Sequence, residues 1–213
     1  MSGAREAVLA RVRAALGPAA EIPEVQRAYH QAGALGAGGG SVTVDRFCER
    51  VSDYRATVKR VRGDELPRAL TAACALRGAR RVAVPADAPA WTVYGVELVR
   101  DDPPLSPRQL DALDGVLSGC VLAIAETGTI VLDGTGACGR RALTLVPDYH
   151  LCVVRSHDIV PSVPDGVAAL ARVAAEGQPI TLISGPSATS DIELDRVEGV
   201  HGPRTLDVFV VDC

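Results

Sequence analysis

The chain has 213 residues, of which 22 are basic and 26 acidic, with a formal net charge of -4. This length supports one sizeable core, and the charge balance argues against a protein that wraps a nucleic-acid backbone. No apolar run approaches the roughly 20 residues of a membrane-spanning helix, and the N-terminus lacks the pattern of a secretory signal. We therefore expect a cytoplasmic protein without a membrane span or a nucleic-acid partner.

The cysteines are scattered and form no CxxC pair. Their positions are Cys48, Cys74, Cys120, Cys138, Cys152 and Cys213. This spacing suits neither a zinc site nor a cysteine-bound iron-sulfur cluster. In a reducing compartment such residues are expected to be small buried hydrophobes rather than disulfides. The sequence thus predicts no metal and no redox cofactor in this chain.

The first forty residues have their own pattern. Apolar side chains recur at helical spacing over residues 4–16, and Gly17-Pro18 then ends the predicted amphipathic helix. Residues 33–40 include five glycines, which predict a flexible linker. We therefore divide the chain into an N-terminal helical arm with its linker, residues 1–40, and a main domain, residues 41–213. The arm would order on a partner or pack on its own domain.

Helical and extended patterns alternate in the main domain. Helices are predicted at 45–54, 64–76, 88–95, 106–117 and 164–176, and strands at 57–61, 81–85, 96–99, 121–125, 129–132, 142–146, 151–154, 180–184 and 206–211. The strands between 129 and 154 resemble a meander. The pattern predicts the α/β class, with a mixed, largely parallel sheet and flanking helices on both faces.

A glycine-rich segment, Gly134-Thr-Gly-Ala-Cys-Gly139, matches the spacing of a dinucleotide-binding loop. A strand rather than a helix is predicted to follow it, so a hairpin loop is favoured over a dinucleotide site. A third interpretation is an anion site, in which backbone amides around Gly136 act with Arg140 and Arg141 on a carboxylate or phosphate.

A second loop follows the predicted strand at 180–184. Ligands of α/β sheets bind beyond the carboxyl ends of strands, which makes this loop a candidate binding segment. Its candidate ligand contacts are Ser184, Gly185, Ser187, Thr189 and Asp191. An equally good alternative is a capping box over Ser190-Asp-Ile-Glu193, which would satisfy a helix N-terminus without any ligand.

Glu126 ends an apolar predicted strand, where burial could raise its pKa for acid, base or nucleophilic work. The alternative is a structural hydrogen bond. Gly128 and Thr129 follow it as candidate ligand contacts. Each histidine could transfer protons near neutral pH or simply be hydrogen-bonded. His201, in Gly199-Val-His-Gly-Pro203, is the preferred one and the second catalytic candidate after Glu126.

Four motifs together resemble the signature of the LUD-domain family, in its short lactate-utilisation protein C branch. They are Ala125-Glu-Thr-Gly-Thr129, Leu145-Val-Pro-Asp-Tyr-His150, Ser184-Gly-Pro-Ser-Ala-Thr-Ser-Asp-Ile-Glu193 and Gly199-Val-His-Gly-Pro203. The resemblance implies a fold like that of the ribose-phosphate isomerase and CoA-transferase group (NagB/RpiA/CoA transferase-like). It also implies a non-redox role in oxidising L-lactate to pyruvate, beside partner proteins that carry iron-sulfur clusters.

The alternative function is a free-standing transferase or isomerase of that fold, because Glu126-Thr-Gly128 matches a minimal Glu-x-Gly pattern of such enzymes. In either case a small anionic metabolite is the expected ligand. The site prediction is that one cleft at the carboxyl edge of the sheet collects Glu126, Arg140, Arg141, Ser184, Ser187, Thr189, Asp191 and His201.

Overall fold

The chain divides into two units, residues 1–30 and 31–213. The computed structural model describes residues 2–17, 24–29, 40–186 and 202–212. In the first unit, helix α1 (Ser2–Leu16) confirms the predicted N-terminal helix, and its Val8, Val12 and Leu16 side chains are exposed. The role of residues 1–40 as an arm stays a prediction.

The larger sheet of the second unit has six strands, each parallel to its neighbours. In spatial order they are β1 (Thr57–Arg62), β10 (Thr205–Asp212), β7 (Tyr149–Arg155), β4 (Gly115–Ser118), β2 (Arg81–Val84) and β3 (Glu97–Arg100). The central strands β10, β7 and β4 are buried along almost their whole length, as parallel strands covered on both faces must be. This sheet confirms the predicted α/β class.

A second sheet has four strands. In spatial order they are β8 (Ile159–Val160), β5 (Leu122–Ile124), β6 (Thr129–Leu132) and β9 (Thr181–Ile183). Strand β6 runs antiparallel to both β5 and β9. The predicted meander over 129–154 was wrong, because β6 and β7 belong to different sheets.

The elements of this unit stack in layers. Helix α3 (Leu66–Arg77) covers one face of the larger sheet, and helix α2 (Ser41–Asp53) packs with the second sheet on the other face. Helices α5 (Val163–Ala169) and α6 (Ala171–Ala175) lie on the outer face of the second sheet. The main core therefore lies between the two sheets, where burial of aliphatic side chains supplies most of the stabilisation.

Three local predictions were wrong. Residues 88–95 form no helix, because Pro89 removes a backbone donor and Trp91 packs on the core instead. The helix predicted at 106–117 ends early, as α4 (Pro107–Asp111), because residues 115–118 pair as the central strand β4. Residues 142–146 form turns, not a strand.

The remaining predicted elements agree with the structure within a few residues. The helix predicted at 164–176 is divided at Leu170 into α5 and α6, and a 3-10 helix lies at Ser156–Asp158. Among the described residues, no helix is long and apolar enough to cross a bilayer.

Candidate functional site

A small cavity lies at the amino edge of the larger sheet, between the starts of β7 and β10 and strand β9. Its volume is about 80 Å³, and its walls include Arg141, His150, Ser184, Gly185 and Pro203. We call it the amino-edge cavity. Residues of the sequence motifs that end at His150, begin at Ser184 and end at Pro203 therefore meet in one place.

Arg141 supplies the positive charge of this cavity. Its Nη1 donates to the carbonyl and the hydroxyl of Thr144, at 3.1 and 3.2 Å. In the part of the chain that the structure describes, no carboxylate forms an ion pair with it. Burial lowers the pKa of Arg141, because the guanidinium loses water around it. The cavity thus holds a cation that a bound anion would stabilise.

His150 is fully buried beside this charge, and its Nε2 lies 2.7 Å from the Ser118 hydroxyl. Burial, and then the charge of Arg141, lower the pKa of His150 to about 4, so the ring is neutral at pH 7. The Ser118 hydroxyl also lies 3.0 Å from the Gly119 carbonyl, which can only accept. If the serine hydrogen points to that carbonyl, Nε2–H donates to Ser118; if it points to the ring, Nε2 accepts.

Ser184, on the wall of this cavity, is linked to two threonine hydroxyls that do not line it. The Oγ1 atom of Thr129 lies 2.7 Å from Ser184 Oγ and 2.7 Å from Thr127 Oγ1. The contact arises because β6 is antiparallel to β9, which pairs Ile130 with Ile183 and brings the start of one strand to the end of the other. Thr129 and Ser184, both predicted ligand contacts, are thus linked to each other.

Glu126 is placed differently from the expectation. Its side chain is exposed rather than buried, and Oε2 accepts from the Val163 amide at 3.3 Å, at the start of α5. The reason is that β5 ends at Ile124, and the chain turns outward before Glu126. Glu126 is not among the residues that line the amino-edge cavity. Its contact is the structural hydrogen bond that the sequence left as an alternative.

The need for glycine at positions 128 and 185 is explained by close packing against α2 and against Tyr54, the residue after it. Both have positive φ, 62° and 89°. A Cβ on Gly128 would lie 2.8 Å from the backbone carbon of Arg50, and one on Gly185 would lie 2.8 Å from the Cβ of Tyr54. These positions need glycine whether or not a ligand binds.

The loop 134–139 is followed by turns, so the helix of a dinucleotide site is missing there. Its amides are used internally: Thr135 N donates to Asp133 Oδ1, and the amides of Cys138 and Gly139 donate to the Thr135 carbonyl. Gly136 is exposed and does not line the amino-edge cavity. A role for Gly136 in binding an anion stays a prediction, and of the two arginines that follow the loop only Arg141 lines the amino-edge cavity.

Arg140 does not line the amino-edge cavity; its side chain lies against Asp101 and Leu105, after the end of β3. Its Nε and Nη2 donate to both carboxylate oxygens of Asp101, at 2.6 and 2.8 Å, and Nη2 also donates to the Leu105 carbonyl. The single predicted cleft is therefore not formed by the described residues. Arg141, Ser184 and Gly185 share a cavity, but at the amino edge, because Ser184 ends a strand of the second sheet. Arg140 and Glu126 lie elsewhere.

Other predicted residues lie outside the described ranges. These are Ser187, Thr189, Asp191 and His201, whose roles stay predictions. In the described ranges, no group of three or more metal-binding side chains could hold an ion. Sequence reasoning missed Ser118 and Thr144. For Ser118 the sequence held one signal. The residue follows the apolar pair Val116-Leu117, which indicates burial, and a buried hydroxyl needs a hydrogen-bond partner.

Comparison with known proteins places these residues in a family. The model of the LUD domain matches residues 104–211, which include Arg141, His150 and Ser184. The chain belongs to the LUD-domain family. Within it, a lactate utilization protein C from Deinococcus radiodurans is 56% identical over 167 residues, covering 78% of each chain. The resemblance to the lactate-utilisation protein C branch of the LUD-domain family is thereby confirmed.

Two further relatives, with lower sequence identity, support the same family assignment. A lactate utilization protein C from Geobacillus kaustophilus is 31% identical over 167 residues, covering 69% of each chain. The crystal structure of a DUF162 family protein from Deinococcus radiodurans superposes with a TM-score of 0.70 at 47% identity, covering 80% of this chain and 97% of that one. This likeness supports the described fold.

Proposed function

We propose that this LUD-domain chain acts in the oxidation of L-lactate to pyruvate, as a non-redox component that binds a small carboxylate beside iron-sulfur partner proteins. The relatives named lactate utilization protein C support the pathway. The observation that carries the binding role is the half-buried guanidinium of Arg141 in the amino-edge cavity, with no carboxylate paired to it among the described residues.

The chemistry of lactate and pyruvate suits this cavity. Both are small carboxylates, and a guanidinium binds a carboxylate through paired, charge-assisted hydrogen bonds. The neutral ring of His150 offers a hydrogen-bonding group without adding a second positive charge. Ser184 adds a hydroxyl on the same wall. These groups could hold the carboxylate and the 2-hydroxyl or 2-oxo oxygen of one small acid.

The electrons need a second site. Conversion of lactate to pyruvate releases two electrons and two protons. Iron-sulfur clusters of the partner proteins would accept the electrons one at a time, and the protons would pass to water. In this proposal the chain contributes carboxylate binding and the arrangement of its partners. The partners follow from the family resemblance.

Reconstitution tests the proposal. The iron-sulfur proteins that co-purify with the native chain would be mixed with it, L-lactate and a dye as electron acceptor, and dye reduction measured. We expect lactate-dependent reduction to require the chain and to fall strongly with Arg141→Gln. The control Arg172→Gln removes an exposed arginine of α6 and should leave the rate unchanged. Full activity of the partners without this chain would contradict the proposal.

A further inference from the structure

A larger cavity lies at the opposite, carboxyl edge of the six-stranded sheet. Its volume is about 380 Å³, within the roughly 300–1,000 Å³ range of small-molecule sites. Gly119 and Cys120 reach it directly after β4, Val153 and Arg155 from the end of β7, and Val211 from the end of β10. We call it the carboxyl-edge cavity.

The position of this cavity in the topology is the first argument for a binding site. After β2, the next strand of this sheet is its neighbour β3, on one side. After β4, the chain first forms β5 and β6 of the second sheet and then returns to this sheet as β7, on the other side of β4. Such reversal between adjacent parallel strands opens a crevice beyond their carboxyl ends, where open α/β sheets bind ligands. Trp91, in the segment after β2, and Gly119, after β4, line the cavity on the two sides of this crevice.

The walls indicate what would bind there. Most of the lining side chains are apolar, including Leu66, Pro89 and Val211, and Trp91 adds an aromatic ring. The charged groups at this cavity, Arg155 and Asp158, form an ion pair with 2.7 Å between Nε and Oδ2. Apolar walls and a paired charge favour an uncharged ring over an anion.

We propose that the carboxyl-edge cavity binds a neutral, aromatic small molecule, at a site separate from the carboxylate site of Arg141. The proposal stands independently of the role in lactate oxidation, because it rests on the topology and on Trp91. The two cavities lie at opposite edges of the larger sheet, so one chain would bind two ligands of different chemistry.

The chain offers a direct probe, since Trp91 is its only tryptophan. Titration of the full chain with 2-naphthol would be followed by calorimetry and by Trp91 fluorescence, with 2-naphthalenesulfonate as the charged analogue. We expect saturable binding of one 2-naphthol per chain, a shift of Trp91 emission, and weaker binding of the sulfonate.

Variants of the cavity walls test whether 2-naphthol binds in the carboxyl-edge cavity. Ala137→Leu fills the cavity and Leu66→Gln makes its wall polar, and each should weaken binding about tenfold or more. Arg141→Gln, in the other cavity, should leave binding unchanged. The proposal is overturned if 2-naphthol shows no saturable binding, or if both cavity variants bind it as the unaltered chain does. Tighter binding of the sulfonate, or loss of binding in Arg141→Gln, would also overturn it.

Discussion

Arg140 and Arg141 are neighbours in the chain, yet their charges have different surroundings. Arg140 forms a bidentate ion pair with buried Asp101, so its charge is balanced within the fold. The guanidinium of Arg141 forms its hydrogen bonds among the described residues with the uncharged Thr144. The first arrangement ties a turn to the end of β3, whereas the second leaves a cation in a cavity.

The contrast explains why two adjacent arginines should differ in role. A buried carboxylate depends on its cation, because removal of that partner leaves an uncompensated charge in the protein interior. An unpaired, half-buried cation costs solvation energy, which a bound anion would offset. Arg140 should therefore matter for folding and Arg141 for binding.

The largest expected effect concerns pH, at the neutral His150 beside Arg141. The pKa of His150 is about 4 in the folded chain, below the roughly 6.5 of an unfolded chain. Between these values the unfolded state binds more protons, so stability should fall as pH drops from 6.5 to 4, by about 3 kcal/mol. Urea unfolding across this range measures it.

The matched variant is His150→Gln, which should show a flatter pH profile over the same window. Burial raises the pKa of Asp101, but the hydrogen bonds from Arg140 and the Leu105 amide outweigh it and hold the pKa below 3.8. The amides of Arg80 and Arg81 hold the pKa of Asp114 below 3.8. Their contributions are lost only at lower pH. Equal acid sensitivity of the variant and the unaltered chain would show that His150 is not the titrating group.

The next effect compares the two arginines directly. Arg140→Gln leaves buried Asp101 without its cation and should lower the free energy of unfolding by about 2 kcal/mol. Arg141→Gln should change stability by less than about 1 kcal/mol, because it breaks no ion pair in the described structure. Denaturant titration of both variants at pH 7 decides this. Similar losses would remove the distinction between the two sites.

The smallest effect concerns the hydrogen bond between Ser184, on the cavity wall, and Thr129 behind it. Ser184→Ala removes one hydrogen bond to Thr129, which keeps its bond to Thr127, so the loss should be about 1 kcal/mol. Ser52→Ala on α2, where the hydroxyl bonds an exposed carbonyl of Cys48, is the control and should cost less. A thermal melt gives both values. A larger loss at Ser52 would contradict the greater weight given to the part-buried hydrogen bond of Ser184.

Local sequence patterns predicted the elements whose signal is local. The strands at 57–61 and 151–154 and the helix at 64–76 appear within a few residues, because their apolar spacing and the stop at Gly78 suffice. The helix predicted over 106–117 failed because pairing of Gly115–Ser118 between two neighbouring strands overrides local helix propensity.

The positions of the candidate site residues could be predicted only in part, for a physical reason. The sequence named Arg141, Ser184 and Thr129 as candidate contacts, but the expectation that strand ends share one edge holds only for a single sheet. Division of the strands between two sheets moves the end of β9 to the amino edge of the larger sheet. Nothing in the dipeptide Arg140-Arg141 distinguishes the paired arginine from the unpaired one, since Asp101 lies 39 residues away in sequence.

The most direct test of the account is binding of small carboxylates to the full chain. Calorimetric titration with L-lactate and with pyruvate should show one site per chain. Arg141→Gln should weaken binding about tenfold or more, since it removes the charge-assisted hydrogen bonds. Arg172→Gln should bind as the unaltered chain does. Equal binding by Arg141→Gln and the unaltered chain would contradict the assignment of the amino-edge cavity as the carboxylate site.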